Sequence, residues 1–275
     1  MPDSFLYFIT AGAWLGLTGL AWRATRPVLA TGHAPRNEIR IESVLVPFAL
    51  VLHAMLLYRG IVVAEGLNLG LANAVSLLVW LTALIYWVAG LAYPGLAGMQ
   101  SLMAPIGLGA VLVQLTLPSR HVVTYTAEPL FTMHFAIAIL AYALVIVATV
   151  HALVMLALEK WLHRGVLPPF LRAMPPLMEM EALLFRIVLA VFILLTLTVV
   201  SGVFFSELLF GKTFTFTHKN VFAILSWLIF GGLLAGHYLR GWRGKKAVRW
   251  TLAGFFMLLL AYVGSKFVLE IILQR

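Results

Sequence analysis

Eight long apolar segments constrain the fold of this 275-residue chain more than any other feature. A helix needs about 20 apolar residues to cross the hydrocarbon core of a bilayer. Segments of this length lie at about 5–22, 43–63, 70–92, 96–117, 130–158, 183–208, 220–240 and 250–270. They lack the period-two alternation of membrane β-strands. The sequence therefore predicts an all-α, polytopic integral membrane protein: a bundle of about eight transmembrane helices forming one domain over residues 1–275.

The composition supports this class of protein. Hydrophobic residues make up 63% of the chain and charged residues 11%, whereas soluble domains are about 45–50% apolar and about 25% charged. The absence of cysteine excludes disulfides, thiolate metal sites and CxxC redox chemistry. The net charge of +9 comes without the aromatic interleaving of a nucleic-acid reader, so no nucleic-acid partner is predicted. The N-terminal MPDSFLYF has no basic residue, so we interpret residues 5–22 as a retained span.

Lysine and arginine are distributed unevenly between the two sets of loops. Loops 23–42, 93–98 and 159–182 hold four, none and three of them, and Arg240 with loop 241–249 holds five. The opposite loops hold four in total. Because cytoplasmic loops carry the excess of basic residues, the distribution predicts that both termini are periplasmic and that loop 241–249 is cytoplasmic.

Of the eight histidines, two are placed within the membrane, away from its outer surface. His53 lies about 15 Å into the second span, counting from Ser43 at about 1.5 Å per residue. An ionisable residue at that depth is a functional hypothesis by default; the alternative is a neutral imidazole that bonds a neighbouring helix. His237 lies about one turn from the inner end of span seven, where histidine also bonds the last helix carbonyls and favours the helix dipole. Position alone leaves both interpretations open.

The remaining histidines lie nearer the membrane surfaces. His134 opens span five at the predicted outer surface, and Tyr142 shares its helix face. His151 is turned about 100° from His134 and lies near the inner end, where we expect a packing role. His218 lies in the outer segment FGKTFTFTHKNVF; the alternative to a ligand there is an interfacial segment with a solvated histidine. Three histidines are expected to be solvated in loops: His33, His121 and His163.

The donor set limits the chemistry that the chain can perform. Closed zinc sites take four ligands, often thiolates, whereas this chain has no cysteine, no HExxH and almost no carboxylate within its spans. Haem needs only one or two axial ligands and an apolar pocket. Eight Trp and eighteen Phe residues can line such a pocket, although aromatic residues equally suit interfacial belts. No nucleophile–base pair is recognisable, so the sequence does not predict an enzyme.

Several stretches of the second half resemble one membrane family. FTMHFAIAILAYAL resembles the helix that carries the first external histidine in the cytochrome c assembly superfamily, which includes the CcsA, CcmC and CcmF haem-handling proteins. HKNVFAILSWLIFGGLLAGHYLRGWRGKKAVRWTLAGFFMLLLAYVGSK resembles its closing region. MPPLMEMEALLFRI and LLTLTVVSGVFF are similar to its small YpjD-like inner-membrane branch. The resemblance covers most of the chain.

The resemblance implies a bacterial inner-membrane protein that binds or moves b-type haem. Carried over by position, His53 and His237 would be converging intramembrane ligands and His134 the first external ligand, with His218 as a substitute for a second one. The implied partners are the lipid bilayer, haem, and other cytochrome c assembly components or apocytochrome. The basic residues proposed to contact the haem propionates are Arg240, Arg243, Lys245, Lys246 and Arg59.

Two features of the family are absent from the sequence. The family's WGxxWxWDxxE-type segment is replaced by GKTFTFTHKN, and no histidine follows the last span. The resemblance therefore implies the fold and a haem site more directly than delivery of haem to an apocytochrome. Two other functions stay open. One is a small-solute or divalent-metal transporter that uses His53, His237 and methionines such as Met55. The other is a haem-free membrane interaction protein on the same fold.

Overall fold

Helices account for most of the structure, a computed structural model. It describes residues 2–25, 36–93, 96–117, 121–123, 128–165, 168, 171, 174–210 and 218–264. In these ranges the α-helices are α1 (Pro2–Thr25), α2 (Arg36–Ile61), α3 (Leu71–Ala92), α4 (Ala97–Thr116), α5 (Pro129–His163), α6 (Leu177–Phe210), α7 (His218–Arg240) and α8 (Gly244–Leu259). A π-helical turn, Leu260–Gly264, continues α8. The strands are β1 (Val62–Val63), β2 (Gly66–Asn68) and β3 (Val122–Val123).

Within these ranges, seven helices, α1 to α7, are long and apolar enough to cross a membrane. They match the first seven predicted spans, and the prediction of a polytopic all-α membrane protein is confirmed. The predicted eighth span, 250–270, begins in α8 and continues past residue 264, beyond the described residues. Helices α5 and α6 have 35 and 34 residues. They are therefore longer than their predicted spans, because α5 continues through Glu159 and Lys160 at its C-terminal end and α6 begins before Glu179 and Glu181.

The chain divides into two compact units. One comprises residues 1–123 with 161–175, and the other comprises residues 124–160 with 176–275. The single domain predicted over the whole chain stays a prediction.

In the first unit, four helices pack as a closed ring: α1 against α2, α2 against α3, α3 against α4, and α4 against α1. Small and aromatic side chains fill its centre, among them Trp14, Ala49 and Ala83, each completely buried. A small antiparallel sheet in the order β1-β2-β3 lies where α2 ends and α3 begins. Leu67 pairs with Val62 on one side and with Val123 on the other.

In the second unit, α7 is held between α6 and α8. The indole of Trp227 on α7 stacks on Phe192 of α6, with ring centroids 5.7 Å apart, and donates to Thr196 Oγ1 at 2.8 Å. On its other side, α7 donates a hydrogen bond from Ser226 to the carbonyl of Gly254 in α8, at 2.9 Å. These contacts fix the middle of α7 between α6 and α8. They therefore also determine where the C-terminal end of α7 lies.

Candidate functional site

The turn between α7 and α8 determines the surroundings of His237. Gly241 has a φ of +65°, in the left-handed region, and its N–H bonds the His237 carbonyl at 3.0 Å. This is a left-handed C-cap of the kind that glycine favours. The N–H of Trp242 bonds the Gly236 carbonyl at 3.1 Å. The chain therefore folds back over the last turn of α7 and brings the Trp242 backbone to the imidazole.

A hydrogen bond to this turn sets the tautomer of His237. Nδ1 lies 3.0 Å from the carbonyl oxygen of Trp242. Because a carbonyl only accepts, Nδ1 carries the proton and the neutral ring keeps its lone pair on Nε2. In the described ranges, Nε2 has no hydrogen-bond partner. Phe185 of α6 stacks on the ring with centroids 3.5 Å apart, which fixes its plane. Histidines that bind metals commonly donate their other ring N–H to a carbonyl in this way.

His237 lines a pocket of about 440 Å³ between α6, α7 and the turn. Ligand sites in proteins commonly measure about 300–1,000 Å³. Aliphatic and aromatic side chains form most of its wall, and three charged residues line it as well. The other lining residues are Met178, Glu181, Ala182, Phe185, Arg186, Leu189, Tyr238 and Arg243. A pocket with an imidazole, apolar walls and two arginines suits a large apolar ligand that carries acidic groups.

Glu181 attaches the turn to the beginning of α6. Its carboxylate accepts a hydrogen bond from the Gly244 N–H at 3.2 Å and lies 3.8 Å from Nε of Arg243. Gly244 has a φ of +54°, so the turn uses two left-handed glycines. Arg243, assigned to haem propionates by resemblance, thus lines the His237 pocket but shares its charge with a carboxylate. The sequence pattern did not identify Glu181 as its partner.

The other proposed propionate contacts have different surroundings. Lys245 Nζ lies 3.4 Å from Glu159 of α5. Lys246 Nζ lies 4.0 Å from the centre of the Trp242 ring, a cation–π contact. Arg240 is exposed at the end of α7, and Arg59 is exposed near the end of α2. Arg186, which sequence reasoning did not select, lines the pocket with Arg243.

His53 lies in the first unit and is completely buried. Its Nε2 is 2.8 Å from Ser76 Oγ on α3, and Trp14 of α1 contacts the ring edge-on with centroids 6.1 Å apart. Nδ1 has no hydrogen-bond partner in the part of the chain that the structure describes. Met55, considered as a second ligand, is 54% exposed. Two residues turn a helix by about 200°, so Met55 does not share the environment of His53.

Sequence reasoning missed the polar partners of His53. Ser76 Oγ lies 2.8 Å from Gln114 Oε1, and Gln114 Nε2 lies 3.1 Å from Asn73 Oδ1. All three side chains are buried. A signal was available, because isolated polar residues in apolar spans avoid lipid and tend to bond one another.

His134 and His218 are described to different extents. Nδ1 of His134, on α5, lies 2.7 Å from Ser201 Oγ of α6. The Ser201 hydroxyl bonds the Leu197 carbonyl at 2.6 Å, so it accepts from His134. His218 is the first residue of α7, but its side chain lies outside the described part of the structure.

His151 packs between two helices. It is completely buried, and its Nε2 donates to the Met180 carbonyl of α6 at 2.8 Å. Across the described ranges, no three His, Cys, Asp or Glu residues group as a metal site. His53 and His237 belong to different compact units, and their convergence stays a prediction.

Sequence comparison relates this chain to a cytochrome c assembly family, to an inner membrane protein and to a cytochrome c biogenesis protein. The sequence profile of the family described as Cytochrome C assembly protein matches residues 42–273. The chain is 32% identical over 239 residues to Inner membrane protein YpjD of Escherichia coli strain K12, covering 85% of this chain and 88% of that protein. It is 31% identical over 86 residues to Cytochrome c biogenesis protein CcsA of Prochlorococcus marinus, covering 31% of this chain and 27% of that protein. The profile match includes all four histidines considered as ligands.

Proposed function

This chain belongs to the cytochrome c assembly protein family, and from that membership we propose that it binds b-type haem through histidines in the bacterial inner membrane. One observation carries the proposal. Nδ1 of His237 donates its proton to the Trp242 carbonyl, so the lone pair of the neutral ring lies on Nε2. The same ring lines a mostly apolar pocket. Neutral imidazole with an oriented second nitrogen is a suitable axial ligand for haem iron.

The buried imidazole of His53 supports a second ligand position. Its Nδ1 is buried without a hydrogen-bond partner in the described ranges, as is Nδ1 of His151. We propose the His53 atom as the ligand because the family resemblance assigns a haem ligand to that position. We propose His53 and His237 as the two intramembrane haem ligands. We propose His134 as an external ligand at the start of α5, and His218 at the start of α7 as a further external ligand.

The charged residues of the His237 pocket suit the acidic groups of haem. Arg186 and Arg243 line the pocket with His237, and arginine pairs well with carboxylates. We assign the propionates first to these two residues. Arg240, Lys245 and Lys246 do not line this pocket, and we propose them as further propionate contacts.

In this proposal the chain acts as an assembly factor rather than as a classical enzyme. When bound, haem would supply a redox-active iron, which the proposed histidines would hold. The protein's own contribution is to orient each imidazole, to exclude water and to hold the acidic groups. The proposed partners are the bilayer, haem and other cytochrome c assembly components. Delivery to an apocytochrome is not part of the proposal, because GKTFTFTHKN replaces the tryptophan-rich segment.

The absorption spectrum of the purified protein tests the proposal. After expression with sufficient haem, we expect a Soret band and one b-type haem per chain or fewer, quantified as the pyridine haemochrome. A colourless protein that carries stoichiometric metal would instead support a metal transporter. A colourless and metal-free protein would support a haem-free interaction protein, and either result would refute haem binding.

The orientation of the chain is tested separately. We expect a reporter enzyme that is active only in the periplasm to be active when fused to the C-terminus and inactive when inserted in loop 241–249. The reason is the concentration of basic residues in that loop and the others on its side. A cytoplasmic reporter, with the opposite compartment requirement, serves as the control. Cytoplasmic activity of the C-terminal fusion would reverse the orientation and place His134 at the inner surface.

A further inference from the structure

A chain of hydrogen bonds inside the first unit begins at His53. It passes from His53 on α2 to Ser76 on α3, then to Gln114 on α4, and returns to Asn73 on α3. The successive distances are 2.8, 2.8 and 3.1 Å. All four side chains are buried. In such surroundings a satisfied polar network is held firmly, because an unpaired member would be costly.

Two backbone carbonyls determine the direction of every donor in this chain. Asn73 Nδ2 lies 2.9 Å from the carbonyl of Gly60 and 3.0 Å from that of Asn68. Because carbonyls only accept, Asn73 turns its NH2 group toward them and its Oδ1 toward Gln114. Gln114 must then donate from Nε2 to Asn73, which leaves its Oε1 directed at α3. The network itself therefore assigns both amides.

Ser76 links Gln114 to His53 and thereby determines which ring nitrogen of His53 carries the proton. Gln114 Oε1 only accepts, so the Ser76 hydroxyl donates its single proton to it. Ser76 Oγ then accepts from His53, and Nε2 of His53 carries the ring proton. In the neutral ring the lone pair lies on Nδ1. This is the buried atom that lacks a hydrogen-bond partner in the described ranges.

We propose that Ser76, Gln114 and Asn73 are positioning residues that hold His53 as its Nε2–H tautomer and present Nδ1 to an electrophilic ligand. The inference rests on the proposed function in one respect, namely that the electrophile is haem iron. Partners on the other ring nitrogen orient a ligating imidazole and raise its basicity. Each amide nitrogen only donates and each amide oxygen only accepts, so the chain of bonds works as a fixed clamp and not as a proton path.

Close packing against α2 keeps the amides in place. A Cβ atom on Gly60 would lie 2.9 Å from Gln114 Nε2 and 3.3 Å from Asn73 Oδ1. The missing side chain thus allows the backbone to approach both amides. If the Gln114 amide turned round, its oxygen would face Asn73 Oδ1 and its NH2 group would face the Ser76 hydroxyl. That arrangement opposes two acceptors, so a single direction is retained.

The tautomer of His53 in the haem-free protein tests the inference. In protein labelled with 15N and 13C at histidine and placed in lipid nanodiscs, NMR correlations to Cγ and Cδ2 show which ring nitrogen carries the proton. The signal of His53 is the one lost in His53→Gln. We expect the Nε2–H form to exceed the Nδ1–H form by about tenfold or more. Ser76→Ala should reduce this ratio by roughly tenfold, and Ser76→Thr should restore it.

A change at the far end separates positioning from local packing. Asn73 bonds Gln114 and not His53. Asn73→Leu removes this bond and allows the Gln114 amide to rotate, so we expect the tautomer ratio of His53 to fall in this variant too. Thr82→Ala is the matched control, because Thr82 is buried on the same helix and bonds its own Leu78 carbonyl at 2.7 Å; it should leave the ratio unchanged.

Three results would overturn the inference: a wild-type His53 protonated on Nδ1, or a wild-type ratio in either Ser76→Ala or Asn73→Leu. If Ser76→Ala does not accumulate in membranes, the wild-type and Asn73→Leu spectra decide. Because the measurement uses haem-free protein, its outcome does not depend on the pyridine haemochrome assay. A chain that binds no haem can still show the clamp, and a haem protein can lack it.

Discussion

His237→Ala is expected to abolish or strongly shift the Soret band of the purified protein. The imidazole is a ligand in the proposed site, and loss of even a partner of a metal ligand lowers affinity by about 10–100-fold. Removal of the ligand itself should lower haem affinity at least as much. The measurement is the absorption spectrum and the haem content per chain at equal protein concentration. His53→Ala should act in the same direction.

His151→Gln is the matched control for this experiment. It removes a buried histidine from the same unit as His237 but retains an N–H donor for the Met180 carbonyl. Its spectrum should equal that of the wild type. If both His237→Ala and His53→Ala keep the wild-type spectrum and haem content, the transmembrane ligand assignment is wrong, even if the protein binds haem elsewhere.

Gly236→Ala is expected to destabilise the protein and to disturb the His237 site together. A Cβ atom at this position would overlap the indole ring of Trp242. Overpacking of this kind costs about 1–3 kcal/mol, which corresponds to a fall in Tm of roughly 3–10 °C for a chain of this size. Because Trp242 supplies the carbonyl that orients His237, the haem spectrum should broaden or lose intensity.

Two further variants make the Gly236 experiment specific. Gly109→Ala adds the same methyl group to a membrane helix where no atom lies within 4 Å, so its Tm should not fall. Adding Trp242→Leu to Gly236→Ala removes the overlap, and the two effects should combine non-additively. A Gly236→Ala protein with wild-type Tm and spectrum would show that the turn does not hold His237.

Length and polarity made the helices predictable, while the small sheet was not. The apolar runs predicted α1 to α7, because any segment that crosses a bilayer must satisfy its backbone internally. The strands have only two or three residues, and Val62 and Val63 were interpreted as the end of the second span. The third strand, β3, pairs with β2 although it lies more than fifty residues further along the chain. Local pattern carries no information on such a contact.

For the candidate site, the sequence indicates candidate residues but not the bonds of their atoms. The sequence GHYLRGWRGKK identified His237 and the basic turn. It did not reveal which ring nitrogen is free, because that depends on the Trp242 carbonyl and on a left-handed Gly241. It also did not reveal Glu181, which lies sixty-three residues before its partner Gly244. The tautomer of His237 follows from the backbone geometry of the turn, and the contact of Glu181 follows from the packing of distant segments.

The length of α5 and α6 has a consequence for how the pocket responds to lipid. At about 1.5 Å per residue each helix extends for roughly 50 Å, whereas the hydrocarbon core measures about 30 Å. Glu159 and Glu181, near the ends of these helices, hold Lys245 and the Gly244 N–H. These contacts therefore attach the basic turn to α5 and α6, and the attachment does not involve lipid headgroups. A thicker or thinner bilayer would change the tilt of the helices. The distance between the turn and His237 would stay the same.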